Sequence, residues 1–283
     1  MGLEQIYDRE AAHRPIGVFD SGVGGLTVFR EIMRQMPGER IVYFGDTARV
    51  PYGSKSRDTI LRFSRQIVRF LLGQGVKAIV VACNTASANA LPVLEEECPV
   101  PIIGVIVPGA KTAAEVSRNG RIGVIGTTAT ITSGVYSEVI RQLRPDAQVL
   151  GRACPLFCPL VEEGLWEDPV TDEIARRYIS ELTGRGIDTL ILGCTHYPLI
   201  SKAIGRIAGE GVTLVNPAYE TARELHILLR EKKLENPDIP VLGSTEERYS
   251  FYVSDMADKF RGFANSIIPY GVLSAKAVTL EDQ

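Results

Sequence analysis

Twice the sequence runs a buried-strand pattern straight into a cysteine. Val80-Val81-Ala82-Cys83-Asn84-Thr85 and Ile191-Leu192-Gly193-Cys194-Thr195-His196 share an apolar run, then Cys, then small hydroxyl or amide residues, 111 positions apart. An echo 106 positions apart links Ile16-Gly17-Val18-Phe19-Asp20-Ser21 with Ile122-Gly123-Val124-Ile125-Gly126-Thr127. Two copies of one architecture, each delivering a thiol from a strand end, imply a cleft with one sulfur on either wall. That arrangement suits moving a proton from one face of a carbon to the other.

Around these phrases, short apolar runs alternate with helix-length amphipathic segments. Ile16–Phe19, Ile41–Phe44, Ala78–Ala82 and Ile102–Val105 read as buried strands, rich in Val and Ile and bounded by Gly, Pro or Asp. Helical spacing of apolar residues predicts helices over Leu26–Gln35, Ser56–Leu72 and Ala86–Glu97. The second half predicts strands at Arg121–Ile125, Gln148–Gly151, Thr189–Leu192 and Thr213–Val215, with helices at Ser133–Leu143, Thr171–Gly184 and Pro198–Ala208. Beyond Asn216-Pro217 the pattern gives a helix at Thr221–Lys232, a strand at Pro240–Gly243 and a last helix near Tyr252–Phe260. Alternation of this kind implies an α/β fold with mostly parallel sheets flanked by helices. At 283 residues the chain fits two such domains. With a boundary near Pro108, the expected division is residues 1–107 with 217–283 as one discontinuous α/β domain and 108–216 as the second, the active site lying in the cleft between them.

With 45% apolar residues, the composition is that of a globular protein. A net charge of −3 with no long basic run argues against nucleic acid or an anionic membrane as the main partner. No stretch approaches the ~18 apolar residues of a membrane-spanning helix. Residues 1–14 are too charged for a secretory signal. A cytoplasmic protein is therefore expected, and its five cysteines, an odd number, are expected to be free thiols.

In a parallel sheet, ligands gather at the carboxyl ends of strands, where loops turn into helices. Asp20-Ser21-Gly22, Gly45-Asp46-Thr47, Cys83-Asn84-Thr85, Gly126-Thr127-Thr128 and Cys194-Thr195-His196 all fall there. Helix starts offer unpaired N–H groups and a partial positive charge, which favour the carboxylates of a small acidic molecule. A lone cysteine after a strand is ordinarily a buried small hydrophobe; two at equivalent places, each followed by polar residues, favour chemistry. An amino-acid Cα proton is very weakly acidic, and a thiolate opposite a thiol supplies general base and general acid in one step. His196 either orients the Cys194 sulfur or caps the following helix. Asp20 either poises Cys83, binds an ammonium, or serves as an N-cap. Glu162, in a pair with Glu163, is either a further acid or a surface residue. Gly22-Val23-Gly24-Gly25 lacks G-x-G-x-x-G spacing, which removes a dinucleotide reading. Cys154 and Cys158 have no second Cys/His pair at zinc spacing, so no metal is expected and both are expected to pack. No lysine sits in a pyridoxal-phosphate setting, so chemistry without a cofactor is expected.

These residues resemble the glutamate racemases, cofactor-independent members of the aspartate/glutamate racemase superfamily. The resemblance runs from about Pro15 to about Ile268. It is carried in order by Gly17–Leu26, Asp46–Gly53, Ala82–Ser87, Pro155–Phe157 with Pro159–Glu162, and Gly193–Pro198. It implies interconversion of L- and D-glutamate, supplying D-glutamate for peptidoglycan, by two α/β domains that clasp the substrate. By resemblance, Cys83 deprotonates the D isomer and Cys194 the L isomer, assisted by Asp20, His196 and Glu162. Substrate contacts are implied at Asp20, Ser21, Tyr52, Gly53, Asn84, Thr85, Thr195 and His196, and a homodimer is implied as well. Related aspartate racemases commonly carry Glu after the Cys-Thr pair, so His196 favours glutamate over aspartate. Cys158 stands where a branched aliphatic residue is more usual.

Two rival classes remain at this point. One is a cysteine-dependent amide hydrolase with Cys194 as nucleophile and His196 as base. The other is a non-catalytic amino-acid sensor or protein-binding partner.

Overall fold

The structure is a computed structural model that describes residues 9–238, 248–269, 271–272 and 274–280. Its ten strands are β1 (Ile16–Asp20), β2 (Ile41–Gly45), β3 (Ala78–Val81), β4 (Ile102–Gly104), β5 (Arg121–Gly126), β6 (Gln148–Ala153), β7 (Thr189–Gly193), β8 (Thr213–Val215), β9 (Tyr249–Val253) and β10 (Lys276–Ala277). They form a six-stranded sheet ordered β10-β9-β2-β1-β3-β4 and a four-stranded sheet ordered β6-β5-β7-β8. Every pairing is parallel. The fold is thus two α/β domains, with helices flanking each sheet.

The duplicated phrases correspond to a duplicated topology. The order β2-β1-β3-β4 in one sheet recurs as β6-β5-β7-β8 in the other. In each sheet the chain moves outward on one side of the first strand, then crosses to the other side. The crossing point lies between β1 and β3 in one sheet and between β5 and β7 in the other. Helices on opposite faces diverge at such a point and leave a crevice beyond the strand ends. Cys83 follows β3 and Cys194 follows β7, so both thiols emerge at these crevices.

The central strands are apolar on both faces because helices cover both. Val18, Ala78 and Val80 pack with Val28, Phe29 and Ile32 on one side of the larger sheet. Phe19, Ile79 and Val81 pack with Ile60, Ile67 and Leu71 on the other. Burying each such side chain contributes about 1.5–3 kcal/mol. After residue 216 the chain returns to the larger sheet. Ala222, Leu225 and Leu229 of helix Pro217–Glu231 join the core around Val28, and β9 pairs with β2.

Several elements differ from the sequence expectation. The helix expected over Ala86–Glu97 is two helices, Asn84–Asn89 and Leu91–Glu97, because Pro92 has no N–H to continue the first. The helix expected over Ser133–Leu143 begins at Val135, because Gly134 at φ 72° separates Val135–Leu143 from a preceding helix, Thr128–Ser133. The start of the helix expected over Pro198–Ala208 is a 3₁₀ turn, Tyr197–Ile200, before helix Ser201–Ala208. Tyr252, expected in the last helix, lies in β9; that helix is Ala257–Ile267, entered through left-handed Met256 at φ 52°. Pro108 lies in the first turn of a helix, Ile106–Val116, where a missing N–H costs no hydrogen bond. The strand expected at Pro240–Gly243 falls outside the described residues. Among the described residues, no helix is long and apolar enough to cross a membrane.

Candidate active site

Cys83 lies two residues beyond β3, at the N-cap position of helix Asn84–Asn89. The Ala86 N–H at that helix start points at the sulfur, and the Ser21 hydroxyl lies 3.6 Å from it. Both contacts favour a thiolate. Burial and the neighbouring Asp20 charge act more strongly the other way and push the Cys83 thiol up to about 12. Its environment therefore holds it as a thiol at neutral pH, and makes the thiolate a strong base whenever it forms.

Asp20, at the end of β1, is fully buried. One oxygen accepts the Gly22 N–H at 2.9 Å, and the other accepts the Thr195 hydroxyl at 3.3 Å from the opposite sheet. Burial raises its pKa against the pull of His196 and these hydrogen bonds. The loop between Asp20 and Leu26 must pass very close to the Cys194 wall. A Cβ on Gly24 would meet His196 Nδ1 at 2.5 Å, which explains glycine there. Thr27 also donates to the Thr195 carbonyl at 2.9 Å, tying the two strand ends together.

Cys194 ends β7 and is equally buried. Its sulfur lies 3.6 Å from Cys158 Sγ and 3.7 Å from His196 Nδ1. Contact with Cys158, together with burial, pushes its thiol well above the ordinary range, with His196 pulling in the opposite sense. The other nitrogen of His196, Nε2, is 2.9 Å from Glu162 Oε1. Burial works against a charged ring, but Cys194, Glu162 and Asp20 outweigh it and raise His196 to about 10. The hydrogen bond from His196 in turn lowers Glu162. Asp20 and Glu162 thus both favour the charged ring.

The remaining predicted residues join the two walls. Asn84 Oδ1 accepts the Tyr136 hydroxyl at 2.7 Å across the cleft. Thr85 Oγ1 lies 2.9 Å from Thr127 Oγ1 and 3.3 Å from Thr130 Oγ1. Tyr52 is buried and donates its hydroxyl to Asp46. Next to it, Gly53 lies against Thr127 and lines a cavity of about 320 Å³ with Thr128, Cys158 and Glu162. Glu162 and Val50 also line a smaller cavity of about 100 Å³ with Thr47 and Lys259. Glu162, one of a glutamate pair, is therefore no ordinary surface residue: it stands at the mouth of the cleft.

Several neighbours of these residues were not anticipated, Tyr136 and Thr130 among them. Cys158, expected only to pack, stands against Cys194; the sequence separation of 36 hides that contact. Thr127, noted only as a strand end, forms the hydroxyl cluster with Thr85 and Thr130. Its equivalence to Ser21 in the duplicated phrases was the available signal.

The profile of the Asp/Glu/Hydantoin racemases matches residues 16–225. The chain belongs to that family. A glutamate racemase of Geobacter metallireducens is 47% identical over 95% of this racemase and 97% of its own length. Among solved structures, a glutamate racemase of Bacillus anthracis superposes with a TM-score of 0.91 at 40% identity, covering 96% of this racemase and 100% of that chain. The Francisella tularensis glutamate racemase, solved with D-glutamate, gives 0.87 at 39% identity, covering 95% and 99%.

Proposed function

We propose that this amino-acid racemase interconverts L- and D-glutamate by passing the Cα proton between Cys83 and Cys194. In one direction the Cys83 thiolate takes the proton and the Cys194 thiol returns another from the opposite side. In the other direction the roles exchange. The observation that carries this reading is the placement of two buried thiols at equivalent strand ends, each with its own polar assistant. Relatedness to glutamate racemases over nearly the whole chain supports glutamate as the substrate.

The environment of each sulfur suits the task. A Cα proton needs a strong base, and burial raises the basicity of both thiolates. Asp20 is placed to receive the substrate ammonium, which would relieve its charge next to Cys83. His196, held by Glu162, is placed to stabilise the Cys194 thiolate or supply it with a proton. Backbone at Tyr52–Gly53, with Ser21, Asn84, Thr85 and Thr195, offers uncharged donors for the carboxylates. In this reading the D isomer serves peptidoglycan synthesis, and the enzyme works as a homodimer.

The deciding experiment follows L-glutamate in deuterated water by circular dichroism and by proton NMR of the Cα position. Loss of optical activity with deuterium entering Cα, unaffected by added pyridoxal phosphate, is expected. An unchanged signal in both measurements rejects the proposal. The 3.7 Å approach of Cys194 to His196 also fits a thiol nucleophile with its base. Ammonia release from glutamine that survives Cys83→Ser would select that amide-hydrolase reading instead.

A further inference from the structure

We propose that Cys158, Cys194 and His196 form a tetrahedral site for a zinc-like divalent cation, and that its occupation shuts the enzyme off by capturing Cys194. The donor atoms Sγ, Sγ and a ring nitrogen of these three residues all lie within 4.8 Å of one another. The two sulfurs are 3.6 Å apart, and Cys194 Sγ is 3.7 Å from His196 Nδ1. Zinc–sulfur bonds of ~2.3 Å and zinc–nitrogen bonds of ~2.0–2.1 Å at tetrahedral angles put two sulfurs ~3.8 Å apart and sulfur and nitrogen ~3.6 Å apart. Two of the three donor–donor distances thus already match edges of the coordination polyhedron, and the third lies within 4.8 Å.

The surroundings complete the set. Glu162 Oε1, 2.9 Å from Nε2, accepts that nitrogen's proton as a hydrogen bond and turns Nδ1 toward the Cys194 sulfur, where an incoming cation would replace the Nδ1 proton. A carboxylate behind a metal-binding histidine acts in this way, fixing both tautomer and ring orientation. Cys158 and Glu162 line the cavity of about 320 Å³, which gives an entry path and room for a water or a small ligand at the fourth position. Two thiolates and an imidazole form a borderline-soft donor set, which selects zinc, cobalt or cadmium over magnesium or calcium. Coordination displaces one proton from each thiol and one from the charged His196 ring to solvent, and moves no electrons. A sulfur bound to the cation has its lone pair committed and cannot accept a Cα proton. The capture itself needs only the geometry; its consequence for activity rests on Cys194 being one of the two acid–base thiols.

The test titrates the reduced protein with cobalt(II) under anaerobic conditions. One equivalent is expected to give a thiolate-to-cobalt absorption band and tetrahedral visible bands, both displaced by zinc. Cys158→Ser and His196→Asn are each expected to weaken cobalt binding at least tenfold. Glu162→Ala is expected to weaken it about tenfold, through loss of the carboxylate behind the ring. Zinc is expected to stop racemisation reversibly on addition of a chelator. Its half-inhibitory concentration should rise at least tenfold in Cys158→Ser, read against that variant's own metal-free rate. Absence of the charge-transfer band, or a band indifferent to both Cys158→Ser and His196→Asn, overturns the proposal. A band with the expected ligand dependence in a protein that does not racemise glutamate upholds the metal site and rejects the functional reading instead.

Discussion

The Glu162 carboxylate lies 2.9 Å from Nε2 of His196, and this contact decides which edge of the ring faces Cys194. With Nε2 engaged, Nδ1 is left 3.7 Å from the sulfur. A carboxylate, an imidazole and a thiol then stand in a row, each polarising the next. The other thiol, Cys83, has no such row; it is served by a hydroxyl, a helix N–H and the buried Asp20. The two sulfurs are alike in position and different in environment, and the predictions exploit that difference.

Removing one sulfur should block proton abstraction from one isomer. With substrate deuterated at Cα, Cys83→Ser is expected to lower deuterium loss from D-glutamate by about 10²–10⁴, the usual contribution of a positioned general base. Cys194→Ser should do the same for L-glutamate. Deuterium release measured by NMR in each direction checks this. Parent-like release from D-glutamate in Cys83→Ser, or from L-glutamate in Cys194→Ser, would contradict the assignment.

The His196 environment also predicts how stability varies with pH. Its folded-state pKa is raised from 6.5 to about 10, so the charged ring adds stability that is fully present below pH 6.5. That contribution is lost as pH rises through about 10. His196→Gln should therefore destabilise the protein most near pH 6, and the deficit should shrink toward pH 10. Urea midpoints at the two pH values are the measurement. A deficit independent of pH would mean that the ring acts by packing alone.

Asp20 raises Cys83 through its charge, second only to burial. Asp20→Asn removes the charge and keeps the shape, so the Cys83 titration should move below about 12. It should remain above the ordinary 9.0 because burial persists. Proton titration of protein carrying ¹³C-labelled cysteine, with Cys83→Ser to assign the signal, reads the shift directly. No movement on Asp20→Asn would remove Asp20 from the electrostatics of that sulfur.

Close approach of the two walls makes Gly24 a sensitive position. Gly24→Ala puts a methyl group 2.5 Å from His196 Nδ1, so the ring or the loop must move. Overpacking of this kind costs about 1–3 kcal/mol. The expected result is a lower urea midpoint together with a raised KM, because the displaced ring is the one beside Cys194. Gly73→Ala serves as a control, since nothing lies within 4 Å of its added methyl.

How much of this was legible in the sequence depends on the range of the contacts involved. Central parallel strands are covered on both faces, so β1, β3, β5 and β7 announce themselves as short apolar runs rich in Val, Ile and Leu, broken at most by a small Gly. Strand β9 did not, because its alternating Tyr249-Ser250-Phe251-Tyr252-Val253 gains its meaning only from pairing with β2, some 200 residues earlier. Helix Ile106–Val116 was obscured by Pro108 and Gly109. The proline is tolerated in the first turn, and the glycine is required by close packing on Pro217. At the cleft, Cys83 and Cys194 were visible through duplication, which is a property of the chain alone. Cys158 was not, since only the return of helix Phe157–Glu162 toward β7 brings it against Cys194.

Far from the cleft, Lys77 and Glu39 form a buried ion pair at 2.5 Å, with side chains 1% and 3% exposed. Burial raises Glu39 and lowers Lys77, in each case against the attraction of the other charge. Desolvation thus exceeds the mutual attraction, and the pair is held by its hydrogen bonds to the Ala12 carbonyl and the Asn236 N–H. Lys77→Met leaves the Glu39 carboxylate buried without its counter-charge and should cost about 3–5 kcal/mol. Adding Glu39→Leu removes that stranded charge and leaves one further backbone group, the Asn236 N–H, without its partner, at about 1–3 kcal/mol. The double variant should therefore be more stable than Lys77→Met alone, which urea denaturation of the two proteins side by side will read. A double variant less stable than the single one would mean that the Glu39 carboxylate, held by the Asn236 N–H, stabilises the fold even without its counter-charge.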